Sequence, residues 1–111
     1  MSDDPINPDK AVNFIIENSA KFAQAKAQRV YLEEFRKSKK ALLMAQSPAK
    51  SAVEREQYAY GHEDYLGLLG GIKAAIEVEE DLKWRLTAAQ MRVDIWRTRE
   101  ASNRNQDRST R

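Results

Sequence analysis

Cysteine is absent from the 111 residues, which excludes disulfides and thiolate-held zinc and suits a reducing compartment. Proline occurs three times, at Pro5, Pro8 and Pro48, and the four glycines all fall between Gly61 and Gly71. Nothing therefore breaks a helix between Asp9 and Gln46. Histidine is present once, as His62, beside Glu63 and Asp64. One imidazole with adjacent acids in a turn is not a metal-ligand spacing, so no metal is expected. No apolar run approaches the roughly 20 residues that a membrane helix needs. The opening Met1-Ser2-Asp3-Asp4-Pro5 is acidic where a secretory signal would be basic and then apolar. A soluble, cytoplasmic protein without membrane contact is expected.

Charge is abundant but nearly balanced, with 19 bases, 17 acids and a net charge of +2. Its layout is not uniform. Residues 1–20 carry one base and four acids, residues 21–50 eight and two, residues 51–83 three and eight, and residues 84–111 seven and three. The successive blocks are therefore −3, +6, −5 and +4, which sum to +2. Such segregation produces strong local fields despite the small total. A chain of this length and modest apolar content has little core of its own, and association with further copies would supply more.

Helix signals divide the chain. Asn7 is placed to cap, Pro8 to take the first helical position and Asp9 to complement the positive helix end. Apolar residues at Val12, Ile15, Ile16, Phe22, Ala23, Ala27, Val30, Tyr31, Phe35, Leu42 and Leu43 predict one inward stripe on a helix over 8–46. Gln46-Ser47-Pro48 ends it. Ser51 with Glu54 matches a capping box and predicts a short helix over 52–60, stopped at Gly61. A third helix is predicted over 64–101. Its seam is Tyr65, Leu68, Ile72, Ala75, Glu79, Leu82, Leu86, Ala89, Val93 and Trp96, heptad-like and interrupted only by Glu79.

The expected architecture is all-α. Two long helices form an antiparallel hairpin with a short helix at the bend, as a single domain over 8–101. Residues 1–7 are a flexible N-terminus and residues 102–111 a polar basic tail. Beside the third helix's seam, Leu69, Ile76, Trp84, Met91 and Ile95 belong to a second stripe that a single hairpin does not need. They are the candidate interface of a homo-oligomeric ring or bundle.

No catalytic constellation is visible. Gly67, Gly70 and Gly71 lack the Lys-Ser/Thr that follows a phosphate loop and are read as places where another backbone packs closely or the helix kinks. Glu77, Glu79, Glu80 and Asp81 face several directions and read as a solvated acidic face. Neither an enzyme nor a cofactor is expected. The basic residues form stripes instead: Lys26, Arg29, Arg36 and Lys40 recur at helical spacing, Lys37 and Lys39 extend them, and Arg85 and Arg92 stand one heptad apart. Cations so arranged suit phosphates, and Tyr31, Trp84 and Trp96 are available to stack on bases. These eight cations are the candidate nucleic-acid contacts.

A long basic helix, then Glu54-Arg55-Glu56, Tyr58 and Tyr65, then Leu82-Lys83-Trp84-Arg85-Leu86 and Ile95-Trp96-Arg97-Thr98 together resemble the UvsY-like recombination mediators of phages. The likeness covers roughly residues 20–105 and is one of helix pattern, not of a specific motif. It implies small helical proteins that assemble into rings, bind single-stranded DNA and help load a RecA-like recombinase onto strands covered by single-strand-binding protein. It also implies a bacterial host cytoplasm. The family's Lys-Ala-Arg-Leu stretch corresponds to Lys39-Lys40-Ala41-Leu42, where leucine replaces the arginine.

Two other readings fit the same residues. One is a helical oligomeric adaptor whose acidic residues 77–81 face basic residues 36–40 of another copy, leaving nothing for DNA. The other is a duplex-DNA-binding phage regulator or packaging component, with Ser51–Tyr60 as its recognition helix; Glu54 and Glu56 suit a DNA groove poorly.

Overall fold

The computed structural model describes residues 5–109. These form three α-helices, α1 (Pro8–Gln46), α2 (Ala52–Gly61) and α3 (Glu63–Ser109), with no strand among the described residues. No helix among them is long and apolar enough to cross a membrane.

The helix ends follow the local sequence. Asn7 Oδ1 accepts from the backbone N–H groups of Asp9 at 3.0 Å and Lys10 at 3.2 Å, so Asn7, expected in a flexible segment, is tied to the start of α1. Residues 1–4 of that segment lie outside the described residues. Ser51 Oγ accepts from the Glu54 N–H at 3.1 Å and caps α2. Arg55 Nε donates to the Ala49 carbonyl at 2.8 Å, which braces the connection after Pro48. The helix expected over 64–101 extends to Ser109, so the expected tail is helical as far as it is described; Thr110 and Arg111 lie outside. Its polar sequence contains no glycine or proline after Gly71, and Arg108 in the last turn complements the negative helix end.

The expected single domain divides into two compact units. Met1–Phe22 and Asp81–Arg111 form the first, and Ala23–Glu80 the second. In the first unit, Ala11, Ala89 and Val93 are buried, with Phe14 and Ile15 packed on them. In the second, Leu43, Ala59 and Tyr65 form the core with Met44 against them, and Ile72 is also buried. Lys39 pairs with Asp64, and Arg29 with Glu79, so α1 and α3 run antiparallel within the second unit, which is a helical hairpin with α2 at its bend.

The seam predicted on α3 is the face that turns inward: Tyr65, Ile72, Glu79, Ala89 and Val93 are buried, and Leu68, Ala75, Leu82, Leu86 and Trp96 half-buried. The stripe predicted on α1 needs correction. Val12, Ile16, Val30, Tyr31, Phe35 and Leu42 are exposed. The inward residues are Ala11, Ile15, Asn18, Phe22, Ala25, Arg29, Leu32, Lys39 and Leu43, a heptad progression in which only Arg36 is exposed. Small and polar residues hold positions that hydropathy alone awards to larger neighbours. A Cβ at Gly67, Gly70 or Gly71 would meet nothing within 4 Å, so no other segment among the described residues packs against them, and α3 continues through all three.

Arg29 is the central polar contact of the second unit. Its Nε donates to one oxygen of Glu79 and its Nη2 to the other at 3.1 Å, while Nη1 reaches Glu33 at 3.0 Å. This two-pronged pairing holds the Arg29 guanidinium protonated more firmly than usual, chiefly through Glu79. Glu79, the one polar residue in the α3 seam, is buried with its charge answered.

Two stability outcomes follow. Leu43 is fully buried and Leu42 is 56% exposed. Leu43→Ala will destabilise the chain by about 3 kcal/mol in urea unfolding, whereas Leu42→Ala will change it by less than about 0.5 kcal/mol. Arg29→Leu alone will lower the melting temperature by stranding Glu79, and Arg29→Leu/Glu79→Leu will restore it to the original value or above; a double variant less stable than the single one would contradict this account.

Candidate nucleic-acid interface

The candidate cations have different fates, set by what the fold brings opposite them. Arg29 is taken by Glu79 and Glu33. Lys39 Nζ lies 3.6 Å from Asp64, and Lys40 Nζ lies 2.9 Å from Glu56. Lys37 sits 3.3 Å from Glu34 and Arg85 3.1 Å from Asp81, both on exposed helix faces where such pairs exchange readily with solvent. Lys26, Arg36 and Arg92 have no ion pair among the described residues. Much of the charge segregation is thus answered within the chain: the basic block of α1 meets acids of α2 and α3.

In the second unit, Arg36, Lys37, Lys40, Tyr60 and Tyr65 line one cleft of about 340 Å³. Arg36 holds an inward register position on α1, but its long side chain borders this opening and stays solvated. Glu56 and Tyr60 are four residues apart on α2 and so share a face, which brings both to Lys40. The Lys40 ammonium stands 4.6 Å from the centre of the Tyr60 ring. The edge of one tyrosine meets the other, with Tyr60 and Tyr65 ring centres 5.3 Å apart at 73°. Tyr65 is buried as part of the core, whereas Tyr60 is exposed. The arrangement offers one unpaired guanidinium, two further cations and an accessible aromatic surface. Cations beside an accessible ring are the kind of surface that suits a phosphate and a stacked base.

The same unit carries a second aromatic surface on α1. Tyr31 and Phe35 are stacked, with ring centres 6.1 Å apart and planes within 10°. Both are exposed, so the Tyr31 expected to stack is accessible. In the first unit Trp84 is exposed with the Lys83 ammonium 5.7 Å from its ring, while Trp96 is half-buried. Arg85 and Arg92 also lie in the first unit, lining a cleft of their own.

Tyr60, Tyr65 and Glu56 were not among the candidate site residues. The four-residue interval from Glu56 to Tyr60 is the signal that places them on one face, but nothing in the sequence points that face at Lys40. The expected interface residues Leu69, Ile76, Trp84, Met91 and Ile95 are all exposed.

Compared with protein families, with curated proteins and with solved structures, the chain matches none.

Electrostatics at the cleft can be tested by titration. The hydrogen bond from Lys40 holds the Glu56 carboxyl below its ordinary range, and Glu56 first, then Tyr60, hold Lys40 above its own. The depressed Glu56 contributes stability above the unfolded value near pH ~4.3, lost as pH falls through the folded value. The raised Lys40 contributes below ~10.4, lost as pH rises through the folded value. Both groups are therefore charged across the neutral range. NMR titration of the Glu56 side-chain carboxyl carbon is expected to give a midpoint below ~4.3, and Lys40→Met should return it to that value.

Proposed function

We propose that this chain is a non-catalytic, self-associating helical protein that binds single-stranded DNA and serves homologous recombination as a mediator for a RecA-like recombinase. The observation that carries the reading is the cleft that Arg36, Lys37 and Lys40 line together with the exposed Tyr60. Cations to track a backbone, combined with rings for unpaired bases, are the two components of sequence-tolerant single-strand binding. Tyr31 and Phe35 add a second ring surface in the same unit, and Lys26 a further unpaired cation. The resemblance to UvsY-like mediators supports the same assignment and supplies the recombinase and the single-strand-binding protein as partners.

Self-association draws support from the exposed second stripe of α3. Leu69 and Ile76 are a heptad apart, as are Trp84 and Met91, and all four side chains are exposed. A ring or bundle would repeat the cleft once per copy, and linked weak sites on one strand bind far more tightly than one alone.

The adaptor reading is favoured by a different observation: Arg29, Lys39 and Lys40 already have acidic partners, so fewer cations are available to a polyanion than the sequence offers. Both readings meet in one experiment. Anisotropy of a labelled single-stranded oligonucleotide is measured over a salt series with duplex competitor. Binding should prefer the single strand and weaken with a slope of about −2 or steeper in log K against log salt. Tyr60→Ala should cost roughly tenfold or more in affinity, and Arg36→Glu should also reduce the salt slope by about one. No binding at low salt leaves the adaptor; preference for duplex leaves the regulator or packaging reading.

A further inference from the structure

We infer that the first unit carries a separate docking site for an acidic amphipathic helix of a partner protein. The site is the larger cleft, of about 870 Å³, lined by Pro5, Ile6 and Asn7 ahead of α1, the start of α1 and the second half of α3. Its cations are Lys10, Arg85, Arg92 and Arg99. The three arginines are spaced by seven residues and so stand along one edge of α3, about 10.5 Å apart and about 21 Å from first to last. Only Arg85 has an ion pair among the described residues, with Asp81, and both side chains are well exposed, so a competing carboxylate can displace it. Arg92 and Arg99 have none.

Beside these cations the lining is apolar, formed by Pro5, Ile6, Phe14 and Ala88 over the buried Ala11 and Ala89. Phe14 is the only aromatic side chain in it among the described residues and is half-buried, so the floor accepts aliphatic side chains and lacks the successive aromatic rings on which unpaired bases stack. A charged edge beside an apolar floor matches a helix with acids along one edge and leucine-like residues beside them. Carboxylates repeating every seven residues on that helix advance by the same ~10.5 Å as the arginines, the pairing logic of charged positions flanking a coiled-coil seam. Ala88 is the exposed alanine of the floor, and its small side chain lets the incoming helix come close. This site shares no lining residue with the tyrosine-bearing cleft and does not rest on its binding DNA.

The test uses the full chain and a fluorescein-labelled 21-residue helical peptide with glutamate at every seventh position beside a leucine stripe. Anisotropy should show saturable binding. Gln-for-Glu and Ser-for-Leu versions of the peptide should each bind at least tenfold more weakly. Arg92→Glu/Arg99→Glu, with Arg92→Gln/Arg99→Gln as the milder pair, should abolish or sharply reduce binding while leaving the helical circular dichroism unchanged. Arg36→Glu should bind the peptide as the natural chain does. Peptide binding that ignores both arginine pairs, or no peptide binding by the folded chain, overturns the inference. Oligonucleotide binding lost in the arginine variants, without peptide binding, would assign the cleft to nucleic acid instead. A chain that binds the peptide but no oligonucleotide keeps this site and fails the function proposed above.

Discussion

In the second unit, Arg29 and Glu79 face each other across an otherwise largely apolar seam, and the register of that hairpin depends on them. Burying two charges is costly even when they pair, and a well-packed apolar pair in their place is often no worse. Their value lies in what they forbid. Sliding α1 by one heptad would carry Arg29 from Glu79 to Ile72, leaving a guanidinium against a buried aliphatic side chain and Glu79 without its partner. Apolar heptads alone tolerate such slips, because one apolar residue replaces another; a single polar match does not. With Arg29 in place, Lys39 meets Asp64 and Lys40 meets Glu56, so the contacts near the bend follow from the same alignment.

That alignment also decides which cations remain for a ligand. The block of residues 21–50 reads as a polyanion-binding surface, yet part of its charge is the counterpart of acids elsewhere in the chain. What remains is selective: Arg36 occupies an inward register position but stays solvated, beside Lys37, Lys40 and Tyr60. Charge complementarity within the hairpin and a small charged cleft are thus two results of one helix pairing.

The fold was legible where each position carried one kind of information. On α3 the inward residues from Tyr65 to Trp96 are nearly all apolar and recur at heptad-like spacing, so periodicity identifies them, and the caps at Asn7 and Ser51 depend only on neighbouring residues. On α1 the two kinds separate. Alanines, Asn18, Arg29 and Lys39 turn inward while Val12, Ile16, Tyr31 and Leu42 turn outward, so hydropathy marks a face the hairpin does not bury. The site was legible as a set of cations but not as a place. Whether a cation is available depends on an acid that can be 50 positions away, as Arg29 and Glu79 are, and such pairings arise only once the helices are aligned. Beyond residue 101 no apolar stripe marks α3, although polar residues without glycine or proline are compatible with helix, and it runs to Ser109.

The two clefts differ in the kind of cation they present. In the second unit two of the three are lysines, Lys37 and Lys40; in the first, three of the four are arginines, and residues 84–111 contain no lysine at all. Acetylation of lysine amines removes charge, whereas guanidinium groups do not undergo that chemistry under the same conditions. Acylation would therefore strip most of the charge from one cleft and leave the arginine edge of the other standing, so that one chemical event addresses the two surfaces of this chain separately.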